Sequence, residues 1–207
     1  MPDAPRIAAL VLAAGTSSRM GGPNKLLSEV GGMTLIERAL RAAVGSRCAQ
    51  VVVVTGWQAD RVEAAMAAVP ASRPVAVVRN PQYAAGLSSS LRCALAALPD
   101  GVDAALVQLA DMPWLRAAHL DRVIEAFDPR EPAIVAAVRD GRRGHPVLWP
   151  RRCFPWLREL TGDAGARDLL ERHAAEVRTI AFDTDAIFQD IDTPGDLHRA
   201  QQKVDRH

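Results

Sequence analysis

The chain is short of the features that would assign it at a glance. Its three cysteines, Cys48, Cys93 and Cys153, are odd in number, far apart and in no Cys-x-x-Cys pair, which argues against a disulfide framework or a zinc site and fits a reducing cytoplasm. Net charge is almost nil. With 25 Lys and Arg against 24 acids, a balance of +1, nothing in the bulk charge points to a nucleic-acid or membrane-surface partner. No apolar run reaches the roughly 18 residues of a membrane span, and Met1 to Arg6, with an acid and two prolines ahead of the first strand, lacks the layout of a signal peptide. Repeats, low-complexity tracts and linkers are missing too. A composition that is 49% hydrophobic over 207 residues suffices for one sizeable core, so residues 1–207 are expected to form a single cytoplasmic domain.

Two common nucleotide motifs are also absent. A Walker loop needs Gly-x-x-x-x-Gly-Lys-Ser/Thr, but Met20 stands five positions after Gly15, and Leu26 follows Lys25. A dinucleotide fingerprint needs Gly-x-Gly-x-x-Gly, and position 17 is Ser.

What is present begins at Leu10–Leu27, where an apolar strand, Arg6–Ala13, empties into a glycine-rich basic loop. Glycines let backbone approach a ligand closely, and consecutive amides in such a turn form a concavity for anions. Arg19 and Lys25 add positive charge, so a triphosphate site is expected; a solvated β-to-α turn is the alternative.

Further along, Thr34 with Glu37 reads as a capping box opening a helix through Leu35, Ile36, Ala39, Leu40, Ala43 and Val44. Val51–Val54 is an apolar strand of the kind buried in a parallel sheet, Asp60 and Glu63 repeat the capping pattern, and Val75–Val78 is the next strand. The polar loop Asn80–Ser90 leads into a helix through Leu91, Leu95 and Leu98, with serines placed either to cap it or to meet a ligand. Ala104–Leu109 is a fourth strand ending in Asp111-Met112-Pro113. An acid at the carboxyl end of a buried strand points into the crevice where such sheets bind ligands, which makes Asp111 the expected metal ligand. His119, in the next helix, reads as a surface residue.

After Phe127 the strand–helix alternation breaks. Ile134–Val138 and Pro146–Trp149 are too close for a crossover helix and read as an antiparallel hairpin or a lid around Arg142, Arg143 and His145. Val177–Phe182 is the last strand. In the closing Asp190-Ile191-Asp192-Thr193-Pro194-Gly195-Asp196, capping accounts for Thr193, Pro194 and Asp196, leaving Asp190 and Asp192 as two unexplained acids on one side of an extended stretch. The architecture expected is α/β, a three-layer sheet with helices on both faces. A basic loop, a strand-end acid and a carboxylate pair suit phosphoryl chemistry, which asks a protein to clamp phosphates, neutralise charge and align an acceptor.

The opening Leu-Ala-Ala-Gly-x-Ser-x-Arg-Met-Gly with Lys-Leu-Leu resembles the signature of MobA-like nucleotidyltransferases, and the resemblance extends from about Ile7 to Leu197 through Asn80-Pro81 with Gly86 and Ser88–Leu91, Ala110–Pro113, Gly144-His145-Pro146-Val147, Gly162–Arg167 and Asp190–Pro194. Within that group the chain is similar to the molybdenum cofactor cytidylyltransferases. The resemblance implies a Rossmann-like nucleotide-diphospho-sugar transferase fold, also described as GT-A-like, with a mostly parallel sheet and a small antiparallel extension. It implies Mg²⁺-dependent transfer of CMP from CTP to the terminal phosphate of molybdopterin, with pyrophosphate released. Carried over by position, Leu12, Ala13, Ala14, Gly15, Arg19 and Lys25 form the nucleotide loop, and Gly86 and Ser88 the base and ribose side. Arg19, Lys25 and Asp111 take catalytic roles; Asp111, Asp190 and Asp192 take the metal; Arg142, Arg143 and His145 are candidates for the acceptor. Leu-Ala-Ala-Gly in place of the Leu-Ala-Gly-Gly of guanylyltransferases matches the cytidine-selective branch, the methyl of Ala14 narrowing the pocket. Implied partners are CTP, the molybdenum cofactor and a recipient molybdenum hydroxylase apoprotein. The alternatives are transfer from another NTP or to a sugar or polyol phosphate, and a non-catalytic cofactor chaperone, against which the retained Arg19, Lys25 and Asp111 count.

Overall fold

A computed structural model of the chain describes residues 4–162 and 166–204. Asp163, Ala164 and Gly165 of the Gly162–Arg167 segment therefore lie outside the described residues.

The first strand, β1 (Ile7–Ala13), is buried along its whole length because it sits inside a sheet covered on both faces. Its side chains alternate: Ile7, Ala9, Val11 and Ala13 join one apolar layer, and Ala8, Leu10 and Leu12 the other. After two short paired strands, β2 (Glu29–Val30) and β3 (Met33–Thr34), helix α1 (Leu35–Gly45) begins on the expected capping box, with Thr34 Oγ1 accepting from the Glu37 amide and Glu37 Oε2 accepting from the Thr34 amide at 2.8 Å. β4 (Gln50–Thr55) pairs in parallel with β1.

Helix α2 (Ala59–Met66) departs from expectation. Its N-cap is Gln58 in a left-handed conformation, with no side-chain cap bond. The acids expected to cap are engaged elsewhere: Arg79, closing β5 (Val75–Arg79), takes both Asp60 and Glu63, and Glu63 also accepts from Thr55 Oγ1 at 2.8 Å.

Helix α3 (Leu87–Ala96) starts without side-chain capping as well. Ser89 donates to the carbonyls of Gln82 and Gly86, and the Asn80 amide reaches the hydroxyls of Ser89 and Ser90 at 2.8 and 3.1 Å, so those serines brace the preceding loop. β6 (Ala104–Leu109) pairs in parallel with β1 on its other side. In α4 (Ala117–Glu125), His119 is half-buried against the edge of Phe182, and its Nδ1 accepts from the Arg116 amide at 3.1 Å. It acts as a helix-start partner where a surface residue was expected.

The broken alternation resolves into a hairpin built into the main sheet, in place of a lid. β7 (Ile134–Arg139) turns through Asp140-Gly141, both at positive φ, into β8 (Arg142–Pro150), the two-residue turn chemistry that hairpins favour. β8 is antiparallel to both β6 and β7. Helices α5 (Phe154–Glu159) and α6 (Arg167–Arg172), β9 (Val177–Ala181) and α7 (Pro194–Val204) complete the chain. The sheet order is β5-β4-β1-β6-β8-β7-β9, with β8 alone running against the rest. One face carries α1, α2, α4 and α7, and the other α3, α5 and α6. A mostly parallel, three-layer sheet with a small antiparallel part is thus the observed fold. No helix among the described residues is long and apolar enough to cross a membrane.

Candidate active site

At the carboxyl ends of β1 and β6 lies a cleft of about 810 Å³. Sheets of this type bind ligands where neighbouring strands part company, here between β1 and β6. The β1 exit supplies Leu12 through Arg19, and the short helical turn Lys25–Leu27 supplies Lys25. Local bonds shape the loop between them. Ser17, at positive φ, accepts from the Lys25 amide at 3.1 Å; Asn24 accepts from the Leu26 amide at 3.0 Å and donates to the Trp57 carbonyl at 3.1 Å.

Those bonds aim Lys25 at two carboxylates. Its Nζ lies 2.6 Å from Asp111 Oδ2 and 2.8 Å from Asp192 Oδ1, while Arg19 pairs with the other oxygen of Asp192. The acids are placed by backbone. The Ile191 amide donates to the Asp111 carbonyl at 3.0 Å, and Ile191 is buried in the core, so Asp190 and Asp192 flank Asp111 on the cleft side. Asp196 accepts from the amides of Asp192 and Thr193 at 3.2 and 2.8 Å, fixing the stretch as it enters α7.

The electrostatics follow from this crowding. Burial opposes the Lys25 ammonium, but Asp111 and Asp192 outweigh it and its pKa rises above the ordinary lysine value. Burial likewise opposes the Asp192 carboxylate, and the hydrogen bond and charge of Lys25, with Arg19, bring its pKa below the ordinary range. Asp190 goes the other way, raised by burial and then by Asp111. A third carboxylate is thus more than the local cations neutralise.

These residues fit a hard divalent cation. Asp111 Oδ1 is buried with no hydrogen-bond partner among the described residues, an acceptor waiting for a positive ligand. No three acidic, histidine or cysteine side chains among the described residues already converge as a metal cage. One or two carboxylates completed by substrate phosphates is how Mg²⁺ is usually held, so Asp111 with Asp190 or Asp192 is a suitable partial shell.

Of the residues expected from sequence, Leu12, Ala13, Ala14, Gly15, Arg19, Lys25, Gly86, Asp111, Asp190 and Asp192 all line this cleft. Gly86 sits there at positive φ as the N-cap of α3. Ser88 does not: its hydroxyl is buried with no partner among the described residues, while Ser90, two residues on in the same helix, lines the cleft. Nor does the cleft wall include Arg142, Arg143 or His145. Arg142 lies 4.5 Å over the Phe188 ring, Arg143 donates to the Leu170 carbonyl at 3.1 Å, and the half-buried His145 has a buried Nδ1 with no partner among the described residues. Burial holds the His145 pKa below the ordinary histidine value. The accompanying Gly144 has a packing reason, since a Cβ there would stand 2.3 Å from the Ile187 carbonyl oxygen.

Arg167 and Tyr83 are among the wall residues to which the sequence reading gives no role. Arg167, at the start of α6, faces the cleft with no carboxylate partner among the described residues; its signal was membership of the Gly162–Arg167 segment. Tyr83 also lines the cleft; its signal was being the one aromatic in the polar Asn80–Ser90 loop.

A crevice at the carboxyl ends of parallel strands, walled by a glycine-rich basic loop and an acidic cluster, defines an α/β nucleotidyltransferase. The chain belongs to the MobA-like NTP transferase domain family, whose model matches residues 9–177. It is 30% identical over 203 residues to nicotine blue oxidoreductase of Paenarthrobacter nicotinovorans, covering 95% of this chain and 97% of that one. It is 25% identical over 197 residues to molybdenum cofactor cytidylyltransferase of Escherichia coli strain K12, covering 94% and 95%. Among solved structures it is similar to Rv0371c of Mycobacterium tuberculosis in complex with manganese, with TM-score 0.78, 30% identity and coverage of 95% of this chain and 98% of that one.

Proposed function

We propose that this chain is a cytoplasmic, Mg²⁺-dependent molybdenum cofactor cytidylyltransferase, acting as one catalytic unit over its whole length. The observation that carries the reading is Lys25 bridging Asp111 and Asp192 in a cleft that the Ala14 loop also lines. Full-length similarity to a protein of that name supports it, and the manganese in a similar structure supports a divalent cation.

In this reading Lys25 and Arg19 exchange their carboxylates for the triphosphate of CTP, one anionic partner for another. Asp111, with Asp190 or Asp192, is then free to hold Mg²⁺, which when bound neutralises charge on the phosphates. Arg167, a cleft cation with no acid beside it among the described residues, takes the acceptor phosphate. A phosphate monoester is already largely dianionic near pH 7, its second pKa being about 6, so no general base is needed. One oxygen of the acceptor phosphate bonds to the α-phosphorus, the bond from that phosphorus to the β-phosphate bridging oxygen breaks, and pyrophosphate leaves with the electron pair. The protein's work is alignment and charge neutralisation. Base choice rests on Ala14, whose methyl stands where a purine needs more room. The product passes to a molybdenum hydroxylase apoprotein.

The test is to incubate the purified chain with Mg²⁺, each of the four NTPs, and either molybdenum cofactor or a panel of sugar phosphates, following pyrophosphate. Release with CTP plus the cofactor alone is expected. Release with a sugar phosphate, or with another NTP, overturns the assignment of acceptor or base.

A further inference from the structure

Tyr83, on the cleft wall, and Gly56, outside the lining, meet beside Ala14, and neither has a part in phosphate chemistry. Tyr83 opens the short helical turn Tyr83–Ala85, between Asn80 and the Gly86 cap of α3. The turn is tied down: the Asn80 amide donates to the Thr55 carbonyl at 2.8 Å, and Asn80 Oδ1 accepts from the Gln82 amide at 2.9 Å. One side of Tyr83 packs on the apolar layer that contains Leu12 and Ala14, and the residue also lines the cleft. Tyr83 is the only aromatic residue on that wall among the described residues.

Gly56 follows β4 and is not at positive φ, so no unusual backbone conformation demands glycine there. Space does. A Cβ on Gly56 would stand 2.6 Å from Tyr83 Cβ, 2.8 Å from Ala14 Cβ and 2.9 Å from the Ala14 carbonyl oxygen. The Trp57 amide, one residue on, also donates to the Ala14 carbonyl at 3.4 Å. Removing a side chain at position 56 is what allows the residue assigned to base choice and the cleft's aromatic to close on the same point.

Resting on the nucleotide reading above, we propose that Tyr83 is the face on which the nucleobase stacks, and that Gly56 is the positioning residue that sets its distance from Ala14. The two walls divide the labour. Stacking on an aromatic face is tolerant of base identity because every base has a π-face; discrimination falls to the width at Ala14. Loss of the Tyr83 ring should therefore weaken all nucleotides together, whereas a change at Ala14 should alter their ratio.

The experiment is calorimetric titration of CTP, GTP and inorganic tripolyphosphate, with Mg²⁺, into the wild-type chain and the variants Tyr83→Ala, Tyr83→Phe and Gly56→Ala. Tripolyphosphate reports the phosphate end alone. Tyr83→Ala is expected to bind CTP and GTP roughly tenfold to a hundredfold more weakly, the scale of a lost base–aromatic stack, with tripolyphosphate unchanged. Tyr83→Phe should keep CTP affinity, since the ring is retained. Gly56→Ala should lose CTP affinity with tripolyphosphate unchanged. If Tyr83→Ala binds CTP as tightly as wild type, or loses tripolyphosphate in parallel, the inference is overturned and the nucleotide reading stands. If the wild-type chain binds tripolyphosphate but no nucleotide, the nucleotide reading itself falls and takes the inference with it.

Discussion

Lys25 Nζ sits 2.6 Å from Asp111 Oδ2 across a sequence separation of 86 residues, joining the exit of β1 to the exit of β6. This pair holds both groups where the proposed phosphate chemistry would use them. The ammonium keeps its charge through physiological pH because its pKa is raised, with the two carboxylates overcoming burial. In the proposed reaction, substrate binding is a partner exchange inside an organised site, with little new order to impose.

Replacing Asp111 with Asn removes the charge and keeps the shape. Because the Asp111 backbone carbonyl, which accepts from Ile191, is untouched, the fold should survive. Turnover should fall by about 100-fold or more, the range for losing one charge-stabilising group. Pyrophosphate release and a thermal melt measure the two halves; near-normal turnover ends the assignment of Asp111 as metal ligand.

Ala14→Gly widens the cleft by one methyl at a buried wall position. A methyl-sized difference is worth about 1–3 kcal/mol in discrimination. The ratio of kcat/KM for CTP over GTP should therefore drop by roughly tenfold or more. An unchanged ratio removes Ala14 from the account of base choice.

Gly144→Ala is expected to destabilise the chain by about 1–3 kcal/mol, the usual cost of overpacking. The added Cβ would stand 2.3 Å from a backbone carbonyl, that of Ile187, and 2.8 Å from the Phe188 ring, so backbone has to move. Urea unfolding reads it as a lower midpoint with an unchanged slope.

Thr34→Ala deletes half of the α1 capping box and should cost about 1 kcal/mol at pH 7. The cost should shrink in acid. Hydrogen bonds from the Thr34 hydroxyl and amide hold the Glu37 carboxyl below its ordinary value. A depressed carboxylate contributes stability that is full above its unfolded pKa of about 4.3 and is lost as pH falls through the folded one. Urea titrations of both proteins at neutral and acid pH measure the difference, which should narrow on the acid side.

Much of this was legible in the sequence because the signals were local. The Thr34–Glu37 box, the buried β1 and β4 runs and the acid after β6 each depend on neighbours within a few residues, and the cleft brings together most of the residues those signals flagged. The misses share a cause, which is competition from afar. Asp60 and Glu63 have the spacing of a cap, but Arg79 lies beside them in space and takes both. Arg142 and Arg143, expected as acceptor candidates, lie outside the cleft wall, against the Phe188 ring and the Leu170 carbonyl, neighbours that sequence spacing does not reveal. His145 looked like a loop residue because the sequence does not say that β8 enters the middle of the sheet. Gly56 gave no signal at all, since its requirement is set by Ala14 and Tyr83 together.

The reversed direction of β8 has an architectural consequence. Val147 pairs with Val107 and Pro150 with Ala104, so it is the beginning of β8 that arrives at the ligand-binding end of the sheet, whereas β1 and β6 arrive there by their last residues. That end of the sheet is therefore assembled from departing chain on one side and incoming chain on the other. Both strands of the β7–β8 hairpin are anchored from outside, β8 by β6 and β7 by β9. Chain inserted at Asp140-Gly141 would extend from that end of the sheet without shifting any register, which makes the turn a natural graft point for adding structure while the cleft at β1 and β6 stays as it is.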